Sequence, residues 1–268
     1  MARPLADNLL ADLTQRKRLL LCLDYDGALA DTTAPDGAQP LAEAERALRR
    51  LVEHREDVQL AIVSGRNART ARRMLGIPAG ILFIGLSGLE LLDDDDHREL
   101  LVQVKHCLPS LHTVRDWLMK EARSADGFMV EDKEFSLALH FRNAKPEVAR
   151  DLCRQLEYLV AHMVRGLRVS YGDMVAEVIP SNAGGIGFAI AHLLERLNDK
   201  SLMAIYFGDD PSDEEAFFVV RRAGGVTILV GPERETHAEY RVDSPEDVAR
   251  ALTALADALE GRGDGANP

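Results

Sequence analysis

Leu19-Leu20-Leu21-Cys22-Leu23-Asp24-Tyr25-Asp26-Gly27 is the stretch on which the fold turns. An uninterrupted apolar run stops at two carboxylates one residue apart, and a glycine opens a turn behind them. A continuous apolar run bounded in this way reads as a buried strand of a parallel sheet. In open α/β sheets ligands bind outside the carboxyl ends of the strands, so Asp24 and Asp26 fall where chemistry is usually placed. Tyr25 points to the opposite side of an extended strand, which suits packing. Neighbouring carboxylates repel and lose hydration unless something positive lies between them. A hard divalent cation such as Mg²⁺, which prefers oxygen ligands, is the simplest remedy.

The pattern recurs along the chain. Val58–Val63 is a second predicted strand and ends in Ser64-Gly65-Arg66, and Ile81–Gly85 is a third. Leu202–Phe207 runs into Gly208-Asp209-Asp210, with Asp213 just beyond, and Val226–Val230 follows. Helical patterns over Leu41–His54, Ala68–Leu75, Gly187–Leu197, Ser212–Arg222 and Pro245–Leu259 alternate with these strands, the order of an α/β fold. A cation fits between Asp24 and Asp209, with help from the main-chain carbonyl of Asp26. The Ser64 hydroxyl with the amides of Gly65 and Arg66 makes a phosphate cradle, although Ser64 alone also suits a helix N-cap. Asp24 can then act as nucleophile and form an aspartyl phosphate. Asp26 can protonate the leaving oxygen and later deprotonate the attacking water. Asp210 and Glu214 read as helix-start residues.

The middle of the chain behaves differently. Val102–Ala122 reads as a helix, and Phe128–Phe141 as one half-exposed strand, from the alternation of Phe135, Leu137, Leu139 and Phe141. Glu147–Val164 is another helix, and Leu167–Tyr171 and Met174–Val178 are strands joined through a tight turn at Gly172-Asp173. This is an α+β module inserted at residues 104–179, which leaves 1–103 and 180–268 as the core. Asp93–Asp96 reads as a solvated turn, and Gly261–Pro268 as a disordered tail.

Composition narrows the function classes. With 268 residues, 46% of them hydrophobic, the chain can bury a globular core. A net charge of −12, from 32 basic and 44 acidic residues, argues against nucleic-acid binding. The three cysteines, Cys22, Cys107 and Cys153, contain no CxxC pair, which argues against structural zinc. Cys22, inside the first strand, reads as a buried free thiol. No signal-peptide pattern opens the sequence and no apolar run is long enough to span a bilayer, so a cytoplasmic location is expected, without a membrane partner. No obligate protein partner can be inferred.

Asp24-Tyr25-Asp26-Gly27, Ser64-Gly65-Arg66 and Gly208-Asp209-Asp210-Pro211-Ser212-Asp213-Glu214 resemble motifs I, II and IV of the haloacid dehalogenase (HAD) superfamily. The closer resemblance is to the trehalose-6-phosphate phosphatases, whose motifs read DYDGTL, SGR and GDDxTDE. Gly85-Leu86-Ser87-Gly88-Leu89-Glu90 is similar to that family's GxHGxE segment, and the stretch from Glu131 to Arg142 to its ExKxxSxxxHYR cap segment. The resemblance implies a Rossmann-like α/β core with an α+β cap, and Mg²⁺-dependent hydrolysis of a sugar phosphate, most closely trehalose 6-phosphate. It implies Asp24 as nucleophile, Asp26 as acid/base, Asp24 and Asp209 as Mg²⁺ ligands, Asp213 as an outer-shell or additional ligand, and Ser64 as a phosphate ligand. It further implies that Glu131, Lys133, Arg142 and Glu177 grip the sugar hydroxyls, under a cap that closes to exclude water.

The chain departs from that pattern at three places. Ala28 stands where the family has threonine, and Ser87 where it has histidine. The family's motif III lysine falls on Ile186, or on Gly185 with a one-residue shift, and no lysine or arginine lies between Arg168 and Arg196. Losing one preorganised stabiliser of developing charge typically costs ~10²–10³ in rate. Lys133 and Arg66 are the candidate substitutes. Two functions stay open on the sequence: a phosphatase for trehalose 6-phosphate or a related sugar phosphate, and a catalytically weak or inactive binding or regulatory protein of the same fold.

Overall fold

The computed structural model describes residues 2–6, 9–15, 17–30, 39–172 and 174–263. The chain divides into two compact units, Met1–Glu99 with Gly185–Pro268, and Leu100–Gly184. In chain order the elements are β1 (Arg3–Pro4), α1 (Leu9–Thr14), β2 (Arg18–Asp24), α2 (Ala42–Leu51), β3 (Val58–Val63), α3 (Ala68–Leu75), β4 (Ile81–Gly85), β5 (Glu90–Leu92) and β6 (Arg98–Leu100). The second unit carries α4 (Leu108–Arg123), β7 (Met129–Asp132), β8 (Leu137–His140), α5 (Pro146–His162), β9 (Leu167–Gly172) and β10 (Val175–Pro180). The first unit resumes with α6 (Gly185–Leu197), β11 (Leu202–Gly208), α7 (Glu214–Arg222), β12 (Val226–Val230), β13 (Tyr240–Val242) and α8 (Pro245–Gly263).

Nine strands form the sheet of the first unit, in the order β1-β13-β12-β11-β2-β3-β4-β5-β6. From β13 to β4 every neighbouring pair is parallel, and β5 turns back antiparallel on β4. β2 lies at the centre, and Leu19 to Leu23 are fully buried on both faces. Each such leucine contributes about 1.5–3 kcal/mol by leaving water. Leu19, Leu21 and Leu23 share one cluster with Ala44, Leu48 and Leu51 of α2, Leu75 of α3, and Leu252 and Leu255 of α8. The amphipathic pattern of α2 causes that packing: its apolar side meets α8, while Arg50 on its polar side pairs with Asp257 and Glu260 at 2.5 and 2.6 Å.

In the second unit four antiparallel strands run in the order β7-β8-β10-β9. Leu137, Leu139, Ala176 and Val178 pack on Leu111, Val114 and Leu118 of α4 and on Leu152, Leu156 and Val160 of α5. The single half-exposed strand expected over Phe128–Phe141 is two strands. Glu134 takes a left-handed backbone (φ 77), and Lys133 N–H donates to the Ser136 carbonyl at 3.0 Å, closing a turn between them. Nor is β8 half-exposed, because Ala138 is as buried as the leucines beside it. The helix expected from Val102 starts at Leu108, with Pro109 in its first turn, where proline's missing N–H costs nothing.

The Asp93–Asp96 segment is the expected turn, with Asp95 and Asp96 exposed, but its first two acids are tied down. Asp94 accepts the Gly80 and Ile81 amides at 2.7 and 3.1 Å and pairs with Arg55, while Asp93 pairs with Arg196. Asp173, part of the expected hairpin turn, and residues 264–268 of the expected tail lie outside the described residues.

Candidate active site

Register brings three strand ends level. Leu23 of β2 is opposite Phe207 of β11 and Ile62 of β3, and Asp24 is opposite Val63. Asp24 therefore ends the central strand with Ser64 beginning the loop on one side and Asp209 on the other. Burial, and then the charges of Asp213, Asp209, Asp26 and Asp210, push the Asp24 carboxyl well above the usual carboxylate range. Asp209 is pushed up to about 7, by burial first and then by Asp213 and Asp210. Asp213 is pushed up to about 6 by burial, against the hydrogen bonds it accepts. Burial is the leading cause for all three carboxyls.

Asp213 is 1% exposed, and both its oxygens are engaged. Oδ1 accepts the Tyr206 hydroxyl at 2.7 Å and Oδ2 the Asp210 amide at 3.0 Å. These bonds suit a support for the loop better than an open ligand. Asp210 caps the next turn by accepting the Ser212 amide at 2.8 Å. Glu214 accepts from Arg234, Thr236 and the His237 amide at 2.5, 2.8 and 2.7 Å. Both therefore hold the start of the helix. Arg234 also donates to the main-chain carbonyls of Asp209 and Asp210, at 3.4 and 3.1 Å. Sequence reading missed it, because an arginine in the loop after β12 carries no local signal of that contact.

Asp26 has a specific partner. Arg66 donates to its two carboxylate oxygens at 3.1 and 2.8 Å through Nε and a terminal nitrogen. The Arg66 amide donates to the Ser64 hydroxyl oxygen at 3.0 Å. Ser64 is not the helix cap; Asn67 fills that role for α3 by accepting the Arg69 amide. A brace stands beneath the loop. Leu86 and Ser87, with left-handed backbones (φ 53 and 52), donate their amides to the carbonyls of Arg66 and Ser64 at 2.8 and 3.1 Å. Such conformations cost about 1–3 kcal/mol each and persist where the surroundings impose them. Glu90 is fully buried and accepts the Ala68 amide at 2.6 Å, while Arg98 neutralises it at 2.5 Å.

Gly27 sets the spacing between the acidic strand ends. Its φ is +99, and a Cβ there would lie 2.1 Å from Asp209 Oδ2. Gly27→Ala is expected to destabilise the protein by about 1–3 kcal/mol through overpacking and backbone strain. Chemical denaturation checks this; an unchanged midpoint would contradict the contact.

Oxygen donors of the right chemistry for a hard cation are present. Asp209 Oδ1 is buried and has no hydrogen-bond partner, a costly arrangement that a cation would relieve. Among the described residues no group of three or more His, Cys, Asp and Glu side chains has metal-holding geometry. The candidate set is instead two carboxylates, Asp24 and Asp209, with a main-chain oxygen at Asp26.

In the second unit, pairing puts two of the other expected site residues, Glu131 and Glu177, on one sheet face. Glu131 is opposite Ala138, Ala138 opposite Glu177, and Glu177 opposite Ser170. Successive side chains alternate across a sheet, so this cross-strand row stands away from Leu137, Leu139, Ala176 and Val178. Lys133 reaches Glu177 at 2.7 Å, and His140 approaches Glu131 at 3.2 Å. Arg142 lies past the end of β8 and is exposed.

A mainly parallel sheet with level acidic strand ends and a separate α+β unit defines a HAD-like fold. A family model described as Trehalose-phosphatase matches residues 22–246, and the chain belongs to that family. It is 35% identical over 254 residues to a trehalose-phosphate phosphatase of Mycobacterium avium (strain 104), covering 90% of this chain and 63% of the relative. The chain thus spans about three fifths of that relative's length. Among solved structures, the C-terminal domain of Candida albicans trehalose-6-phosphate phosphatase superposes with a TM-score of 0.79 at 21% identity, over 96% of this chain and 98% of that one. The C-terminal domain of the Candida albicans trehalose synthase regulatory protein superposes with a TM-score of 0.73 at 14% identity, over 94% and 99%. Among the described residues no helix is long and apolar enough to cross a membrane.

Proposed function

We propose that this chain hydrolyses trehalose 6-phosphate to trehalose and phosphate. The observation that carries the reading is the level placement of Asp24, Ser64 and Asp209 on three adjacent strand ends, in a chain of the trehalose-phosphatase family. Asp24 attacks phosphorus while the bond to the sugar oxygen breaks, and Asp26, carrying a proton on an oxygen that Arg66 releases as substrate enters, gives the sugar oxygen its proton. Water then attacks the aspartyl phosphate, Asp26 takes its proton, and Asp24 is released with free phosphate. The Ser64 hydroxyl and the Gly65 amide hold phosphoryl oxygens, with the Arg66 amide fixing the Ser64 hydroxyl. Asp24, Asp209 and the Asp26 carbonyl would hold Mg²⁺, which supplies positive charge between the carboxylates and the phosphoryl oxygens.

Glu131, Lys133, Glu177 and Arg142 are the proposed sugar contacts. A polyol hydroxyl both donates and accepts, which suits a face carrying carboxylates and cations. Lys133→Met is expected to raise KM for trehalose 6-phosphate by ~10-fold or more, because it removes a proposed sugar contact together with the Lys133–Glu177 pair. Steady-state kinetics decides this, and an unchanged KM would remove Lys133 from the contacts. The free thiols of Cys22, Cys107 and Cys153 suit a reducing cytoplasm.

A second reading, a binding or regulatory protein that hydrolyses little, is favoured by the absence of a cation at Gly185 and Ile186. The test is phosphate release from trehalose 6-phosphate by the full chain with Mg²⁺, alongside a panel of other sugar phosphates. Turnover of trehalose 6-phosphate supports the first reading, and no turnover of any substrate sinks it.

A further inference from the structure

A lysine in the family's third motif would set a cation of the chain beside the carboxylates of this site, and neither position where the sequence pattern places it supplies one. Ile186 is an apolar residue only 6% exposed. Gly185 has φ +71, and a Cβ there would lie 2.2 Å from Glu215 Oε2. The space beside Gly185 is therefore taken by a carboxylate, the opposite charge. In the same unit Arg234 is committed to Glu214 and to the main-chain carbonyls of Asp209 and Asp210.

Arg66 is different. Its guanidinium grips both oxygens of Asp26, at 2.8 and 3.1 Å, in the two-pronged geometry that fixes a carboxylate most firmly. Its own amide is bonded to the Ser64 hydroxyl. One residue thus joins the phosphate cradle to the proposed acid/base. The loop that carries it is held from below by the Leu86 and Ser87 amides and by buried Glu90 at Ala68. The guanidinium stays half-buried, at 25% exposure, where its charge is less screened than on an open surface.

We propose that Arg66 is the cation of this phosphate site, setting its charge against Asp26 and the incoming phosphate in place of a lysine at the start of α6. The inference rests on the phosphatase reading for its kinetic consequences but not for its binding consequence. An anion entering a cluster of carboxylates meets repulsion that a fixed guanidinium offsets, whether or not hydrolysis follows.

The experiment compares wild type, Arg66→Met and Arg66→Lys by calorimetric titration with inorganic phosphate in Mg²⁺, by kcat and KM on trehalose 6-phosphate, and by melting temperature. For Arg66→Met the expected result is phosphate binding weaker by ~10-fold or more and kcat lower by ~10²–10³-fold. Arg66→Lys recovers part of both, since it keeps charge and loses the fork. A merely structural arginine would lower the melting temperature and leave the folded protein's phosphate affinity unchanged, which overturns the proposal. So does a wild type that binds no phosphate. A wild type that binds phosphate through Arg66 but turns over no sugar phosphate upholds this inference and sinks the phosphatase reading, so the two failures are distinguishable.

Discussion

Asp24→Asn is expected to abolish phosphate release and, at pH 7.5 without divalent cation, to raise the melting temperature. The first effect follows from its proposed role as nucleophile: removal of such a group costs on the order of 10⁴-fold or more in kcat. The second follows from its surroundings. Burial and four neighbouring acids disfavour the Asp24 anion, and an amide of the same shape carries no charge to be disfavoured. Opposite signs for activity and stability are the mark of a residue kept for function at the expense of the fold. Turnover within tenfold of wild type would remove Asp24 from the chemistry. A melting temperature that falls would show that the carboxylate is compensated by the chain alone.

Without divalent cation, stability is expected to fall as pH rises from about 4 to about 8, and Mg²⁺ is expected to flatten the profile. Unfolded, Asp24, Asp209 and Asp213 titrate near the ordinary aspartate value of about 3.9. Folded, all three are raised, Asp209 to about 7 and Asp213 to about 6. Between those values the native state binds more protons than the unfolded state, so the free energy of unfolding decreases with rising pH. Asp93 and Glu214 are lowered, chiefly by hydrogen bonds and arginine partners that outweigh burial; their contribution is lost only as pH falls, below that window. A cation at a hundred times its Kd adds about 2.7 kcal/mol, or roughly 5–10 °C in Tm for a chain of this size. Calorimetry at several pH values, with chelator and with Mg²⁺, measures both effects. A profile that rises through this window, or no Mg²⁺-dependent shift at pH 7.5, would contradict the charge arrangement.

What the sequence made legible was the catalytic edge of the sheet. A buried strand needs a mostly apolar run, so Leu19–Leu23, Val58–Val63 and Leu202–Phe207 announced themselves, and the site residues at their ends with them. Short strands did not, because the three residues of β5, β6 and β13 are too few to show a period. The Phe128–Phe141 stretch misled because its apolar alternation continues through Phe135, across a turn set by the backbone of Glu134. The site's cationic partners were the least legible. Arg66 was visible only as a motif residue, and its grip on Asp26 depends on two loops meeting. Arg234 acts through Glu214 and the main-chain carbonyls of Asp209 and Asp210 and carries no pattern of its own. Asp210 was readable as a cap because that role is local.

The adjacency of β2 and β11 has a consequence for biosynthesis. β3 follows β2 closely in the chain, whereas the strand that covers the other edge of β2, Leu202–Gly208, is made only after the whole Leu100–Gly184 unit. A waiting apolar edge is a template for mispairing between nascent chains. The contiguous second unit is free to fold during that interval. Asp24 and Asp26 meet Asp209, Asp210 and Asp213 only when β11 takes its place beside β2, so the full charge cluster is completed together with the sheet that holds it.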